Sequence, residues 1–286
     1  MYAAQYRALT LAMFTRDEDG NATAPTTAPA VSVIDSTGTA IATGTATSGT
    51  GGVGSYTYTL PSAATNALGD YIVRFTYAIS GSTYRREYPV TVYGAHLFEI
   101  DDLRSFDVSI ADSSRYSAAA IRAARDEATS WLEQAAGVSF SPRAAVEYLN
   151  GDGTRSLLLA NAPIVEISAV AIDGDWLDTA DLEDVLIYED SGILHRDLGW
   201  DIGNQNVTVE YVHGMATVDP KVKRAAMMLA VEAIVTSGVP SRAMTQSSDL
   251  GEFRISLANV DAGRPTGIPE VDAVIALYGR RAIRIR

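Results

Sequence analysis

The stretch SAAAIRAARDEATSWLEQAAGVSFSPR, Ser117 to Arg143, decides the fold. Its apolar residues Ile121, Ala124, Ala128, Trp131, Leu132 and Ala135 recur at steps of three and four, the period of a helix with one face on a core. Arg122, Asp126, Thr129 and Glu133 fall on the other side and are expected to face water. Gly137 stands where a left-handed residue closes a helix. Phe140-Ser-Pro-Arg143 then cannot continue the helix, and a run of short strands begins.

Downstream, the patterns Ala144–Leu149, Ser156–Leu159, Ile164–Ile172, Val185–Tyr188 and Val207–Val212 read as strands. Asn150-Gly-Asp-Gly153 is a hairpin signal between the first two, and Asp173-Gly174 marks another turn. A second helix starts on Asp219 as N-cap with Pro220 at its first position, and is expected to end near Ser237-Gly238. From Ala225 to Val235 only Glu232 is charged, so its surface is apolar nearly all round and must be buried, by the chain's own core or by a neighbouring subunit. Met227, Met228, Val231 and Val235 are the candidates for such a contact, with Phe253 and Ile255 from a strand-like piece, Glu252–Leu257, in an otherwise polar, irregular segment 241–263. That segment is expected to order when subunits meet. A last helix spans Pro269 to Tyr278, and Gly279 stops it. The tail Arg280-Arg-Ala-Ile-Arg-Ile-Arg286 alternates Ile283 and Ile285 with Arg284 and Arg286, a strand pattern without an evident partner.

Upstream, residues 1–93 read as all-β. Ala30–Ile34, Ser55–Leu60, Asp70–Ile79 and Thr83–Val92 alternate with period two, and Asp17–Asn21, Ser36–Gly38 and Ser80–Ser82 supply turns. This spacing argues for an immunoglobulin-like sandwich without the Cys…Trp…Cys signature. Thr39–Gly54, poor in bulky side chains, reads as a weak edge strand and a loop. The fold class is therefore α+β in two domains, with an all-β sandwich in front of a helical core that carries an inserted antiparallel β region.

Composition narrows the function. The 286 residues include no cysteine, which excludes disulfides and thiolate chemistry. His96, His195 and His213 lack metal-ligand spacing, so no metal is expected. No apolar run is long enough to span a bilayer, and Met1–Arg16 reads as a strand rather than a signal peptide. Charge is uneven: the net is −1 over residues 1–94, −16 over 95–278 and +4 over 279–286. An acidic body is a poor nonspecific DNA binder. It suits a surface past which DNA slides, or simply solubility.

The motifs offer no chemistry. Gly49–Gly54 spells GxGxxG but precedes a strand, Ser55–Leu60, where a dinucleotide site requires a helix, so no cofactor is expected. Asp17–Gly20 and Asn150–Gly153 lack the later ligands of a calcium loop. The acidic pairs Asp173/Asp175 and Glu189/Asp190 have no aromatic platform beside them for glycoside hydrolysis. His213-Gly214 reads as a turn rather than a base. No catalytic residue is assigned, and an enzyme is not expected.

The ordered series of the Ser117 helix with Arg125, the exit Gly137…Phe140-Ser-Pro-Arg143, Leu157–Leu159, the hairpin Pro163…Gly174, Val207–Gly214, the helix opened by Pro220, and Thr266–Asp272 resembles the head-to-tail adaptor (connector) proteins of long-tailed double-stranded DNA bacteriophages. The resemblance covers about residues 95–279. It implies a structural virion protein of the neck, assembled in the host cytoplasm as a ring, usually of twelve copies. Its partners would be further copies of itself, the portal protein, and a tail-side connector, stopper or tail terminator, with genomic DNA passing through unread. With the all-β stretch in front, which departs from the smallest members of that family, the domains are expected at 1–93 and 95–279, with a basic arm at 280–286. In such adaptors the C-terminus docks on the portal, which makes Arg280, Arg281, Ile283, Arg284, Ile285 and Arg286 the candidate portal contacts; a frayed end is the other reading of that arm. The added sandwich leaves a competing class open, a surface or carbohydrate-binding module.

Overall fold

The computed structural model describes residues 2–235, 243–249, 252–257 and 265–279. It divides into two compact units: 1–95 with 143–145, and 96–142 with 146–286.

Unit 1 holds eight strands: β1 (Tyr2–Ala4), β2 (Leu9–Phe14), β3 (Ala30–Ile34), β4 (Ala40–Thr45), β5 (Thr47–Ser48), β6 (Ser55–Leu60), β7 (Gly69–Ile79) and β8 (Ser82–Tyr93). They form a five-stranded sheet in the order β1-β8-β7-β3-β4 and a three-stranded sheet β2-β6-β5. The first strand runs parallel to the last; the other pairings described in this unit are antiparallel. Alternation along the strands sends Leu11, Met13 and Leu60 from one sheet, and Val31, Val33, Val73, Phe75 and Val90 from the other, into a shared core. The weak edge strand expected after Thr39 is β4, at the margin of the larger sheet.

Unit 2 is built on α1 (Ile100–Phe106), α2 (Ala118–Ala136), α4 (Pro220–Ile234) and α5 (Pro269–Gly279). Ser117 caps α2 by accepting from the Ala120 N–H at 3.2 Å, and Asp219 caps α4 by accepting from the Lys221 N–H at 2.7 Å. Leu103, Ile121, Ala128, Leu132, Phe140, Val222, Ala226, Ala230, Val271 and Val274 meet in one core. Between α2 and α4 lies the β insertion: β9 (Arg143–Leu149), β10 (Ser156–Leu158), β11 (Ile164–Ile172), β12 (Asp175–Trp176), the short helix α3 (Thr179–Glu183), β13 (Leu186–Tyr188), β14 (Ile193–His195) and β15 (Val207–His213). These make a four-stranded sheet β12-β11-β15-β9 and a three-stranded sheet β10-β14-β13. A further hairpin pairs β16 (Ala243–Asp249) with β17 (Glu252–Leu257).

Three expectations need correction. First, Asn150–Gly153 is not a hairpin: β9 and β10 lie in different sheets. The turn binds the 200–206 loop instead. Asn150 Oδ1 accepts from the Gln205 N–H at 2.7 Å, and the Gly151 N–H donates to Asn206 Oδ1 at 2.9 Å. A Cβ on Gly151 would lie 1.8 Å from the Asp201 carbonyl oxygen, so the glycine serves close approach. Second, the far side of α2 is not all solvated. Thr129 is buried, and so is Arg125, whose Nε lies 3.5 Å from Asp126 Oδ1. Glu133 turns back to accept from the Phe140 N–H at 2.9 Å and the Ser139 hydroxyl at 3.0 Å. Third, α4 ends at Ile234, because Val235 takes extended dihedrals (φ −89°, ψ 106°), a conformation that β-branched residues favour.

Candidate subunit interface

The exit of α2 sets the geometry of the helical core. Gly137 adopts φ +68° and donates its N–H to the Glu133 carbonyl at 2.8 Å. Phe140 is then carried inward, where its ring meets that of Tyr278 edge to face at 5.2 Å. The chain leaving β15 closes on the same spot. The Met215 N–H donates to the Ser139 carbonyl at 3.1 Å, and a Cβ on Gly214 (φ +106°) would stand 2.4 Å from the Ser141 carbonyl oxygen. His213-Gly214 is thus the turn expected of it.

One carboxylate joins α4 to α5. Asp219, the cap of α4, accepts from the Tyr278 hydroxyl at 3.0 Å. Those two hydrogen bonds, first from the Lys221 N–H and then from Tyr278, hold its carboxyl below the usual aspartate value. At the start of α5, Asp272 accepts from the Thr266 N–H at 2.9 Å and from its hydroxyl at 2.7 Å. The two helices flank a cavity of about 380 Å³ lined by Lys221, Arg224, Ala225, Glu270, Ala273, Val274 and Leu277. Arg224 and Glu270 pair across it at 2.6 Å, and Leu277 is half exposed.

Of the residues singled out on α4, Met227 points into the chain's own core. Met228, Val231 and Val235, at steps of three and four, are only partly covered, as are Leu229 and Ile234. The chain's own packing therefore does not complete the burial of this helix among the described residues. Phe253 and Ile255 lie on β17. Arg280, Arg281, Ile283, Arg284, Ile285 and Arg286 lie outside the described residues.

In the β insertion, Glu147 accepts from the Tyr211 hydroxyl, from the Ala160 N–H at 3.0 Å and from Asn161 Nδ2 at 3.3 Å. Burial and the Glu147 carboxylate push the Tyr211 phenol well above its ordinary range. The network fastens β9 to β15. Among the described residues, no group of three or more His, Cys, Asp or Glu side chains could hold a metal ion, and no helix is long and apolar enough to cross a membrane.

Residues 98–235 match the family model described as head completion protein. The second unit thus contains a head completion protein domain, and the chain is a structural protein of the head–tail connector class, placed at the head–tail interface of a virion. Among solved structures, the chain is similar to one described as the neck of an empty GTA particle computed with C6 symmetry. Identity there is 12 %, the TM-score is 0.39, and the match covers 59 % of this chain and 80 % of that one. No curated protein matches the chain at a significant level.

Sequence reasoning missed the double use of Asp219 and the inward turn of Glu133. Both are acceptors whose donors become neighbours only in the fold. It also missed a cluster in unit 1 for which a signal existed: Tyr84, Arg86 and Tyr88 recur at every second residue of β8, on one face.

Proposed function

We propose that this chain forms a ring, of twelve copies as the resemblance implies, that joins the portal to the tail and lets DNA pass through its channel. The observation that carries this is the head completion protein match over residues 98–235. The partly covered line Met228, Val231 and Val235 supports a neighbouring copy as the partner of α4, with Phe253 and Ile255 contributing from β17. The domains are 1–93, an immunoglobulin-like sandwich, 95–279, the adaptor core, and 280–286, the basic arm. For the first of these, the separation of β2-β6-β5 from β8-β7-β3-β4, with β1 parallel to β8, supports the immunoglobulin type.

The arm meets the portal by adding a strand to a sheet edge, its arginines facing acidic groups. A tail-side connector, stopper or tail terminator takes the opposite face. No catalysis and no cofactor belong to this reading. Native mass spectrometry and negative-stain imaging of the full chain with its portal test it. Rings stacked on the portal are expected, and deletion of 280–286 should abolish portal binding while the chain stays folded. A monomer indifferent to the portal at high concentration would overturn the ring. A second reading, a surface or carbohydrate-binding module on unit 1, draws on the tyrosine–arginine cluster of β8.

A further inference from the structure

On β7 and β8, Tyr77 stands opposite Tyr84, Phe75 opposite Arg86, and Val73 opposite Tyr88. Directly opposed residues share a face. Val73 and Phe75 are fully buried in the sandwich core, so Tyr84, Arg86 and Tyr88 lie on the core-facing side of the sheet. Yet Arg86 is exposed and the two tyrosines are only partly buried. The core face is therefore left uncovered at this end of the hairpin. Here a depression of about 480 Å³ is lined by Tyr77, Tyr84 and Tyr88, by Arg16, Arg85 and Arg86, and by Asp17, Gly20 and Glu87.

The chemistry of the lining is specific. Tyr77 and Tyr84 stack at 5.5 Å with planes 15° apart, and Tyr88 packs edge to face on Phe75 at 5.6 Å. These rings are fixed by neighbours before any ligand arrives. Three of the five basic residues of 1–94 converge on this one place. Arg16 donates to the Gly20 carbonyl at 2.6 Å, but the side chains of Arg85 and Arg86 make no hydrogen bond or ion pair among the described residues. Three acids stand near: Asp17 and Glu87 in the lining, and Glu18 beside the Tyr84 hydroxyl. Asp17 accepts from the Asn21 N–H at 2.8 Å and the Thr23 hydroxyl at 2.9 Å, and Glu87 pairs with Arg74 at 2.7 Å. The Arg86 guanidinium is thus left without an acid partner among the described residues, beside flat amphipathic rings.

We propose that this depression is a binding site for an acidic saccharide, its carboxylate taken by Arg86 and a sugar face laid on the tyrosines. The guanidinium fork matches a carboxylate bidentately. A tyrosine offers an apolar face for ring C–H groups and a hydroxyl for sugar oxygens. The cavity volume falls in the range of small-ligand sites, about 300–1,000 Å³. An acidic peptide is the weaker fit. Beside Thr91–Tyr93 the β8 edge is already taken by β1, and along Ser82–Val90 it carries two successive arginines and Pro89, residues that deter strand addition. The inference deepens the surface-binding reading of unit 1 and is independent of the ring.

The test is calorimetric titration of the full chain with tri-galacturonate and with an α2,8-linked sialic acid trimer, against neutral maltotriose and hexaglutamate. At least one acidic trisaccharide should saturate the chain. Its affinity should fall about tenfold or more in Arg86→Gln and in Tyr84→Ala, the loss expected for a hydrogen bond to a charged group. Arg74→Gln, on the other face of the sheet, should leave it unchanged. Ring formation and portal binding should be unaltered in all three variants, which separates failure here from failure of the connector reading. Absence of saturation by either trimer up to about 10 mM, equal binding of hexaglutamate, or equal loss in Arg74→Gln would overturn the proposal.

Discussion

Phe140→Ala probes the joint on which unit 2 depends. The side chain is completely buried and reaches the core only because Gly137 turns the chain and Glu133 holds the Phe140 N–H. Truncating a buried phenylalanine costs about 3–5 kcal/mol in transfer and cavity terms. About 0.5–1.5 kcal/mol of that is the edge-to-face pair with Tyr278. The loss should sit in the upper half of the range, because the ring is held between backbone-anchored segments that cannot collapse inward. The three tryptophans, Trp131, Trp176 and Trp200, all belong to unit 2, so tryptophan fluorescence in urea reports this unit alone. With m near 3 kcal/mol per M, a loss of about 4 kcal/mol moves the midpoint down by about 1.3 M. Phe140→Leu, which keeps most of the volume but loses the ring pair, should shift it by less than half as much. A shift below about 0.3 M for the alanine variant would refute the packing argument.

Gly214→Ala should lower stability by about 2 kcal/mol or more, since its Cβ meets the Ser141 carbonyl in a left-handed backbone; an unchanged melting temperature would count against that close approach. Tyr211→Phe should cost about 1.5–3 kcal/mol by depriving the Glu147 carboxylate of a donor, and Glu147→Gln should recover little when added to it, which a double-mutant cycle in urea measures. Asp102 is held below its usual value of 3.8 by the Lys223 ammonium at 2.8 Å and then by the Glu99 N–H. A depressed folded pKa stabilises above the unfolded value and is lost as pH falls through the folded one, so Asp102→Asn should flatten the acid side of the unit 2 melting profile as pH falls below the usual value of 3.8. Duplex DNA should bind the full chain weakly at about 0.05 M salt, without the steep salt dependence that several phosphate contacts give; a slope of several ions in a filter-binding titration would contradict this.

How much could be read beforehand divides along local against non-local causes. The helix of Ser117–Ala136 was legible because its period, its serine cap and its terminal glycine all lie within one short window. The same holds for the start of α4 at Asp219-Pro220 and for the two-residue turn at Asp173-Gly174, where both residues take positive φ. Asn150–Gly153 misled because Asn and Gly serve a tight hairpin and a close tertiary approach equally well; only the loop 200–206 decides between them. Of the three-residue strands, β10 and β13 fall within stretches that read as strands, whereas β14 carries no period to read, and α3 is a single capped turn. The tyrosine–arginine row of β8 was visible as alternation, but its meaning depends on how far the opposite sheet reaches. Of the interface candidates, α4 was readable from its apolar surround, whereas the inward role of Met227 required the packing of the helices.

The distribution of charge connects these parts. Residues 143–213, the β insertion, carry 14 acidic and 3 basic residues, a net of −11. The helices of unit 2 need no such excess, since their core is apolar and their ends are capped. Fold stability gains nothing from crowding like charges into the insertion; self-repulsion there is a cost. In sequence, the four arginines of 280–286 are the opposite extreme. A chain whose task were to hold DNA would place its basic residues along one continuous surface. Here the largest inserted region is acidic and only the short 280–286 segment is densely basic in sequence, an arrangement suited to repelling the phosphate backbone over most of the chain.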